Sequence, residues 1–217
     1  MTIISAVYVP EGIAMAADSR LTGTRRTGEG VEHFTVTDNA QKLILVRNET
    51  IAISFSGDAI IDNKTVADFL RIFDIEKIQE SDTVSEVANN LKQYLEAEYQ
   101  QYDVEFIVAG FDNDIPFVFT VHKNAVALAN SDEDGSVDYG ALWRGERDPL
   151  NKLLTNFPFN ASLTTLKDAA DFAEFLVELT VKYTRFEDKI STCGGPIDIV
   201  VITKDYIKFL KHKILQP

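Results

Sequence analysis

The amino-acid sequence predicts an α+β fold in which two β-sheets pack face to face and helices cover them. Three observations carry this. Strand-like and helix-like segments come in blocks, in the order strands, two helices, strands, two helices, strands, whereas a doubly wound parallel fold needs the two to alternate. Several strand-like runs are almost continuously apolar, the pattern of strands covered on both faces. The chain has 217 residues, 45% of them hydrophobic, enough to bury a substantial core in a single domain.

The apolar runs Ile3 to Val9 and Ile13 to Ala17 flank Pro10-Glu11-Gly12 and read as a β-hairpin. The second run ends in Asp18 and Arg20, an unusual finish for an apolar strand. Residues 21–30 are polar and rich in Gly, and predict a loop. His33 to Thr37 alternates as a short strand, and Asp38-Asn39 turns the chain. Leu43 to Val46 and Ile51 to Phe55 are two further strands. Beyond Ser56-Gly57-Asp58 the period changes, with Val66, Phe69, Leu70 and Phe73 sharing a helical face. Val84, Val87, Ala88, Leu91, Tyr94 and Leu95 define a second helix, capped by Ser81-Asp82-Thr83. Strands follow at Val104 to Ala109, Phe117 to Val121 and Ala125 to Ala129, and another at Asp138 to Trp143. Pro149 to Leu154 starts a short helix. Lys167 to Tyr183 is a long helix with apolar residues on more than one side. Ile197 to Ile202 and Tyr206 to Leu210 are the closing strands. There is no repeat, linker or low-complexity segment, so one domain is expected over residues 1–217.

With 34 acidic against 21 basic side chains the formal charge is -13, which argues against a nucleic-acid or anionic-membrane surface. Cys193 is the one cysteine, so an intrachain disulfide and a thiolate metal site are excluded and a reducing cytoplasmic setting fits. His33, His122 and His212 lack ligand-like spacing. The acidic turn Ser131 to Gly135 lacks the twelve-residue ligand ladder of a calcium loop. No metal or cofactor is expected. No signal peptide and no apolar run of bilayer-crossing length is seen.

Chemistry is suggested at the start of the chain. Removal of Met1 would leave Thr2 with a free α-amine beside its own hydroxyl, a known form of activated nucleophile. Asp18 is expected on the neighbouring strand, at the same end of the sheet. Taken singly, Thr2 is an ordinary second residue, Lys42 a solvated lysine at a strand start, Asp18 a turn carboxylate and Gly57 a strand-to-helix turn.

Taken together these residues have a familiar order. Thr2, then Ala17-Asp18-Ser19-Arg20, Gln41-Lys42-Leu43-Ile44, Ser56-Gly57-Asp58-Ala59 opening the first helix, and Cys193-Gly194-Gly195-Pro196-Ile197-Asp198 resemble the proteasome β-subunit superfamily of N-terminal nucleophile hydrolases. The resemblance spans essentially the whole chain and implies a four-layer αββα sandwich. It implies that Thr2 Oγ attacks an amide carbonyl while its own α-amine takes the proton. It further implies that Lys42 lies beside Thr2, that Asp18 holds Lys42 in an ion pair, and that the Gly57 N–H faces the oxyanion. Thr22 would pair with an extended substrate, and Ala40, Phe55 and Ala59 would line the specificity pocket, with Phe55 narrowing it.

Two departures stand out. Catalytic members of that superfamily carry Gly-Ser-Gly where this chain has Arg144-Gly145-Glu146, and an Asp and a Ser where it has Ile190 and Cys193. These versions are more similar to the bacterial proteasome-related branch called Anbu. Only Met1 precedes Thr2, so no propeptide is expected, as in the bacterial peptidase HslV. The resemblance implies a threonine-type peptidase acting on peptides or unfolded proteins inside a ring or spiral of identical subunits, with an ATPase partner among the family's habits. Two alternatives stay open: an assembly subunit that has lost turnover, and an amidase acting on small amides.

Overall fold

The computed structural model describes residues 2–28 and 30–214. Its first sheet is built around the hairpin β1 (Ile3–Val9) and β2 (Gly12–Ala17). With β12 (Gly140–Gly145), β13 (Asp198–Ile202) and β14 (Ile207–Lys211) it has the order β12-β1-β2-β13-β14, every pair antiparallel. The second sheet contains β5 (Leu43–Val46), β6 (Ile51–Gly57), β9 (Val104–Asp112), β10 (Ile115–His122) and β11 (Ala125–Leu128), in the order β11-β10-β9-β6-β5. Two antiparallel ribbons stand outside these sheets: β3 (Leu21–Thr27) with β4 (Gly30–Thr37), and β7 (Ile60–Ile61) with β8 (Lys64–Thr65). The helices are α1 (Val66–Lys77), α2 (Val84–Glu98), α3 (Asp148–Leu153) and α4 (Leu166–Arg185), with a 3₁₀ turn at Ala161–Leu163.

Strand alternation sorts the side chains of β1 between two environments. Ile4, Ala6 and Tyr8 meet Ile13 and Met15 of β2 and Leu43, Ala52, Ile107 and Val118 of the second sheet. Ile3, Val7 and Val9 point the other way, into a cluster with Ala169, Ala170, Ala173, Leu176 and Val177 of α4. This double burial is why the run reads as continuously apolar. The alanines of β2 and α4 let helix and sheet approach closely, and buried Ser5 donates from Oγ to the Ala173 carbonyl at 2.9 Å. On the far side of the second sheet, Ile51, Ile53, Phe55, Phe106 and Val108 pack beneath Phe69, Leu70 and Phe73 of α1 and Val87, Leu91 and Leu95 of α2. Thr83 begins α2 with a reciprocal capping box, in which its hydroxyl accepts from the Glu86 N–H and the Glu86 carboxylate accepts from the Thr83 N–H.

The expected four-layer αββα sandwich is corrected by this structure. The described residues are 38% strand and 27% helix, in several antiparallel sheets with only four α-helices. The chain is therefore a mixed fold dominated by antiparallel sheet. The balance tips to sheet because the fourteen strands of the described residues, four of them in the two outlying ribbons, stand against four α-helices, of which α3 is only six residues long and packs on α4. Two local expectations change as well. Residues 21–27 form strand β3, because their backbone pairs with β4, from Leu21 opposite Thr37 to Thr27 opposite Gly30. The Ser56-Gly57-Asp58-Ala59 segment ends β6 and leads into the β7–β8 ribbon; the first helix opens only at Val66, capped by Thr65. Among the described residues, no helix is long and apolar enough to cross a membrane.

Two variants measure how far these packing contacts carry the fold. Phe106→Ala, at a fully buried position, is expected to lower unfolding free energy by about 3–5 kcal/mol. Thr83→Ala is expected to cost about 1 kcal/mol. Urea denaturation followed by circular dichroism reads both, and a smaller loss for Phe106→Ala than for Thr83→Ala would contradict the packing described.

Candidate active site around Thr2

The end of the first sheet is organised by one carboxylate. Asp18 follows β2 and is 1% exposed. Its Oδ1 accepts from the Ile3 N–H at 3.0 Å and from Lys42 Nζ at 2.8 Å. Its Oδ2 accepts from the Arg20 N–H at 3.2 Å and the Gly194 N–H at 3.0 Å. Both oxygens are thus saturated, which offsets the cost of burying the charge. Lys42, just before β5, is also 1% exposed, and its ammonium donates a second bond to the Arg20 carbonyl at 2.6 Å. Because one oxygen of Asp18 holds both donors, the ammonium is tied beside the Thr2–Ile3 peptide.

Two glycines let the surrounding backbone close on Thr2. Gly145 ends β12 with φ +95°, and a Cβ there would lie 1.8 Å from the Thr2 carbonyl oxygen. The next residue, Glu146, donates its N–H to that same oxygen at 2.8 Å. Gly57 ends β6 with φ +104°, where a Cβ would lie 2.1 Å from the Asp103 carbonyl. Both positions require the left-handed backbone and close approach that only Gly allows. Thr2, itself 4% exposed, therefore sits where the ends of the two sheets meet.

Two clefts open at Thr2. The first, of about 290 Å³, is bordered by Thr2, Ser56, Gly57, Glu105, His122 and Arg147. The second, of about 320 Å³, is bordered by Thr2, Thr22, Gly57, Ala59 and Thr192. Asp103 borders both, and its carboxylate also contacts His122 Nε2 at 3.1 Å. The structure thus gathers Thr2, Gly57, Thr22 and Ala59 around common openings, with Asp18 and Lys42 paired beneath Ile3. Two expected site residues lie elsewhere. Phe55 is buried under α1 and α2, because strand alternation turns it to the helical side of the second sheet. Ala40 donates its N–H to the Ser19 carbonyl at 2.9 Å and borders neither cleft. Met1, whose removal the reading of Thr2 requires, lies outside the described residues.

The loop leading into β13 completes the site. Ser19 N–H donates to the Gly194 carbonyl at 3.0 Å, and Arg20 makes a two-point ion pair with Asp38 at 2.7 and 3.0 Å while also donating to the Ser191 carbonyl. Hydrogen bonding within that pair raises the Arg20 pKa and lowers that of Asp38. The glycines of Cys193-Gly194-Gly195 are needed for space, since a Cβ at Gly194 would meet the Arg20 guanidinium and one at Gly195 the Asp38 carbonyl. Burial, reinforced by the nearby charge of Asp18, pushes the Cys193 thiol up to about 12.

Asp103, Glu105, His122, Arg147 and Thr192 border the clefts with no motif in the sequence to mark them, and Glu146, part of the departure at Arg144-Gly145-Glu146, lies beside Thr2. His122 and Glu105 share a cleft because the β9–β10 hairpin, in register from Asp112 and Ile115 to Phe106 and Val121, brings them to the same end of the sheet. Among the described residues, no group of three or more His, Cys, Asp or Glu side chains is gathered as a metal site. Comparison of the chain with protein-family models gives no match, and comparison with curated protein sequences gives none either.

Two outcomes follow from these environments. Asp18→Ala leaves the Lys42 ammonium buried without its partner and is expected to cost about 3–5 kcal/mol, whereas Asp18→Asn combined with Lys42→Met is expected to recover much of that loss in the same urea titration. Cys193 is expected to resist thiol reagents at pH 8 until the protein unfolds. Since its folded pKa lies above its unfolded value, its contribution to stability is fully present below about pH 9 and is lost as pH rises towards 12. Rapid labelling of the native protein would contradict the burial.

Proposed function

We propose that the protein is an N-terminal threonine hydrolase that cleaves amide bonds in peptides, with Thr2 as nucleophile once residue 1 has been removed. The observation that carries this reading is the shared Asp18 oxygen, which couples the buried Lys42 ammonium to the peptide directly after Thr2 at the junction of two clefts. A buried ion pair is costly to build and gives little net stability, so its position beside a hydroxyl-bearing residue favours a chemical role.

In this reading the Thr2 hydroxyl attacks the substrate carbonyl carbon and passes its proton to the Thr2 α-amine. An α-amine titrates at about 7.7–8.0 when unperturbed, close enough to neutrality to serve as a base. The positive charge of Lys42 favours the neutral amine and stabilises the alkoxide as it forms. The Gly57 N–H serves as a donor to the tetrahedral oxyanion. Collapse expels the leaving amine, which takes the proton from the α-ammonium, and leaves an ester on Thr2 Oγ. Water then hydrolyses that ester with the same amine as base. The two clefts would receive the chain on either side of the scissile bond, with Thr22 and Ala59 on one side and Glu105 and His122 on the other.

The resemblance to proteasome β-subunits supports assembly into a ring or spiral of identical subunits in the cytoplasm. A second reading, an assembly subunit without turnover, draws on Ile190, which is exposed, and Cys193, which is buried with its thiol held protonated; neither brings the carboxylate or hydroxyl expected of catalytic relatives.

Kinetics on a chain prepared with Thr2 as its first residue separate the two. Thr2→Ala is expected to reduce peptide hydrolysis by on the order of 10³-fold or more, with Thr2→Ser retaining measurable activity. A Thr2→Ala protein as active as the parent would exclude the proposal, and a Thr2-first parent inert to peptides would favour the scaffold.

A further inference from the structure

Glu146 is a buried carboxylate held at one oxygen by a neighbouring hydroxyl. It is 8% exposed, and among the described residues its carboxylate accepts one hydrogen bond, from Thr192 Oγ1 at 3.3 Å. A buried carboxylate so weakly compensated is costly unless a cation is meant to complete its surroundings. Of the neighbouring cations, Lys42 is paired with Asp18, and the half-exposed Lys189 makes its ion pair with Glu187 at 3.2 Å and feels the charge of Glu146 only through space.

The position of Glu146 identifies the missing partner. The β1–β12 register pairs Ile3 with Gly145, and the next step outward brings Glu146 opposite Thr2, where the Glu146 N–H already bonds the Thr2 carbonyl at 2.8 Å. Thr192, the donor to Glu146, borders the same cleft as Thr2. Removal of residue 1 creates a new cation within this neighbourhood, the Thr2 α-ammonium.

We propose that Glu146, fixed by Thr192, is the positioning residue and counter-charge for the α-amine of Thr2. The idea rests on the reading of Thr2 as an N-terminal nucleophile, but it makes a claim of its own about the amine. Glu146 favours the charged amine and Lys42 the neutral one, so the pair sets the pH at which the base becomes available. Other charged or titratable groups bordering Thr2 are His33, Asp58, Asp103, Glu105, His122 and Arg147, with Lys189 near Glu146, and all are common to the variants compared.

The test uses the chemistry of the terminus and needs no turnover. Periodate cleaves an N-terminal threonine only through its free amino alcohol, and acylation by an anhydride follows the neutral amine. Full-length protein beginning at Thr2 is acylated across pH 5 to 10, with modification of residue 2 read by mass spectrometry and the terminus checked by periodate. Glu146→Gln is expected to move the midpoint of amine reactivity to lower pH, Glu146→Asp to leave it near the parent value, and Thr192→Val to give an intermediate shift. Identical midpoints in the parent and Glu146→Gln, with native circular dichroism, would overturn the proposal. If Glu146→Gln does not fold, an unmoved midpoint in Thr192→Val overturns it instead. Loss of peptide hydrolysis in every protein, with the midpoint still shifted, would instead reject the hydrolase reading and leave the counter-charge intact.

Discussion

The saturated carboxylate of Asp18 is the constraint on which the rest of the site depends. Its four hydrogen bonds draw together the start of β1, the turn after β2, the residue before β5 and the loop before β13. Each donor comes from a different part of the chain, and a buried charge cannot release one of them without cost. Lys42 is consequently held without room to relax, and the peptide after Thr2 is held with it. Two apolar clusters, one between the sheets and one under α4, supply the rigid frame that keeps these strand ends in place.

The same arrangement links the fold to chemistry. Backbone at Gly57 and Gly145 crosses close to Thr2 and Asp103 where any side chain would collide, so the ends of two sheets converge on one threonine. The convergence leaves open clefts on either side of Thr2 while its hydroxyl-bearing residue stays largely buried. A nucleophile needs that combination: access for an extended substrate, and a low-dielectric setting in which a fixed ammonium and a backbone N–H act strongly on developing charge.

Much of this was legible in the sequence, for identifiable reasons. The hairpin of β1 and β2, the capped helix after Thr83 and the long helix α4 announce themselves through local periodicity and capping residues. The pairing of Asp18 with Lys42 was legible only through resemblance, since twenty-four residues separate them. Strand β3 was hidden because its residues are polar and gain their order from β4. The four-layer sandwich is an implication of the resemblance, and block order cannot check it, because it says in what sequence strands and helices come and nothing about how the polar ribbons add to the sheet content. Phe55 was assigned to the pocket although alternation along β6 turns it to the helical face, which only the pairing with β9 makes plain. Glu146 first drew notice as a departure from a familiar pattern; its burial opposite Thr2 gives that departure a physical meaning.

The central claim is that Thr2 carries a competent amino-alcohol nucleophile, and a peptide epoxyketone tests it most directly. That reagent closes a ring only by reacting with both the hydroxyl and the α-amine of an N-terminal threonine. Incubation with chain beginning at Thr2, followed by intact and fragment mass measurement, is expected to give one adduct per chain located on residue 2. A native Thr2-first protein that takes up no reagent there would contradict the account.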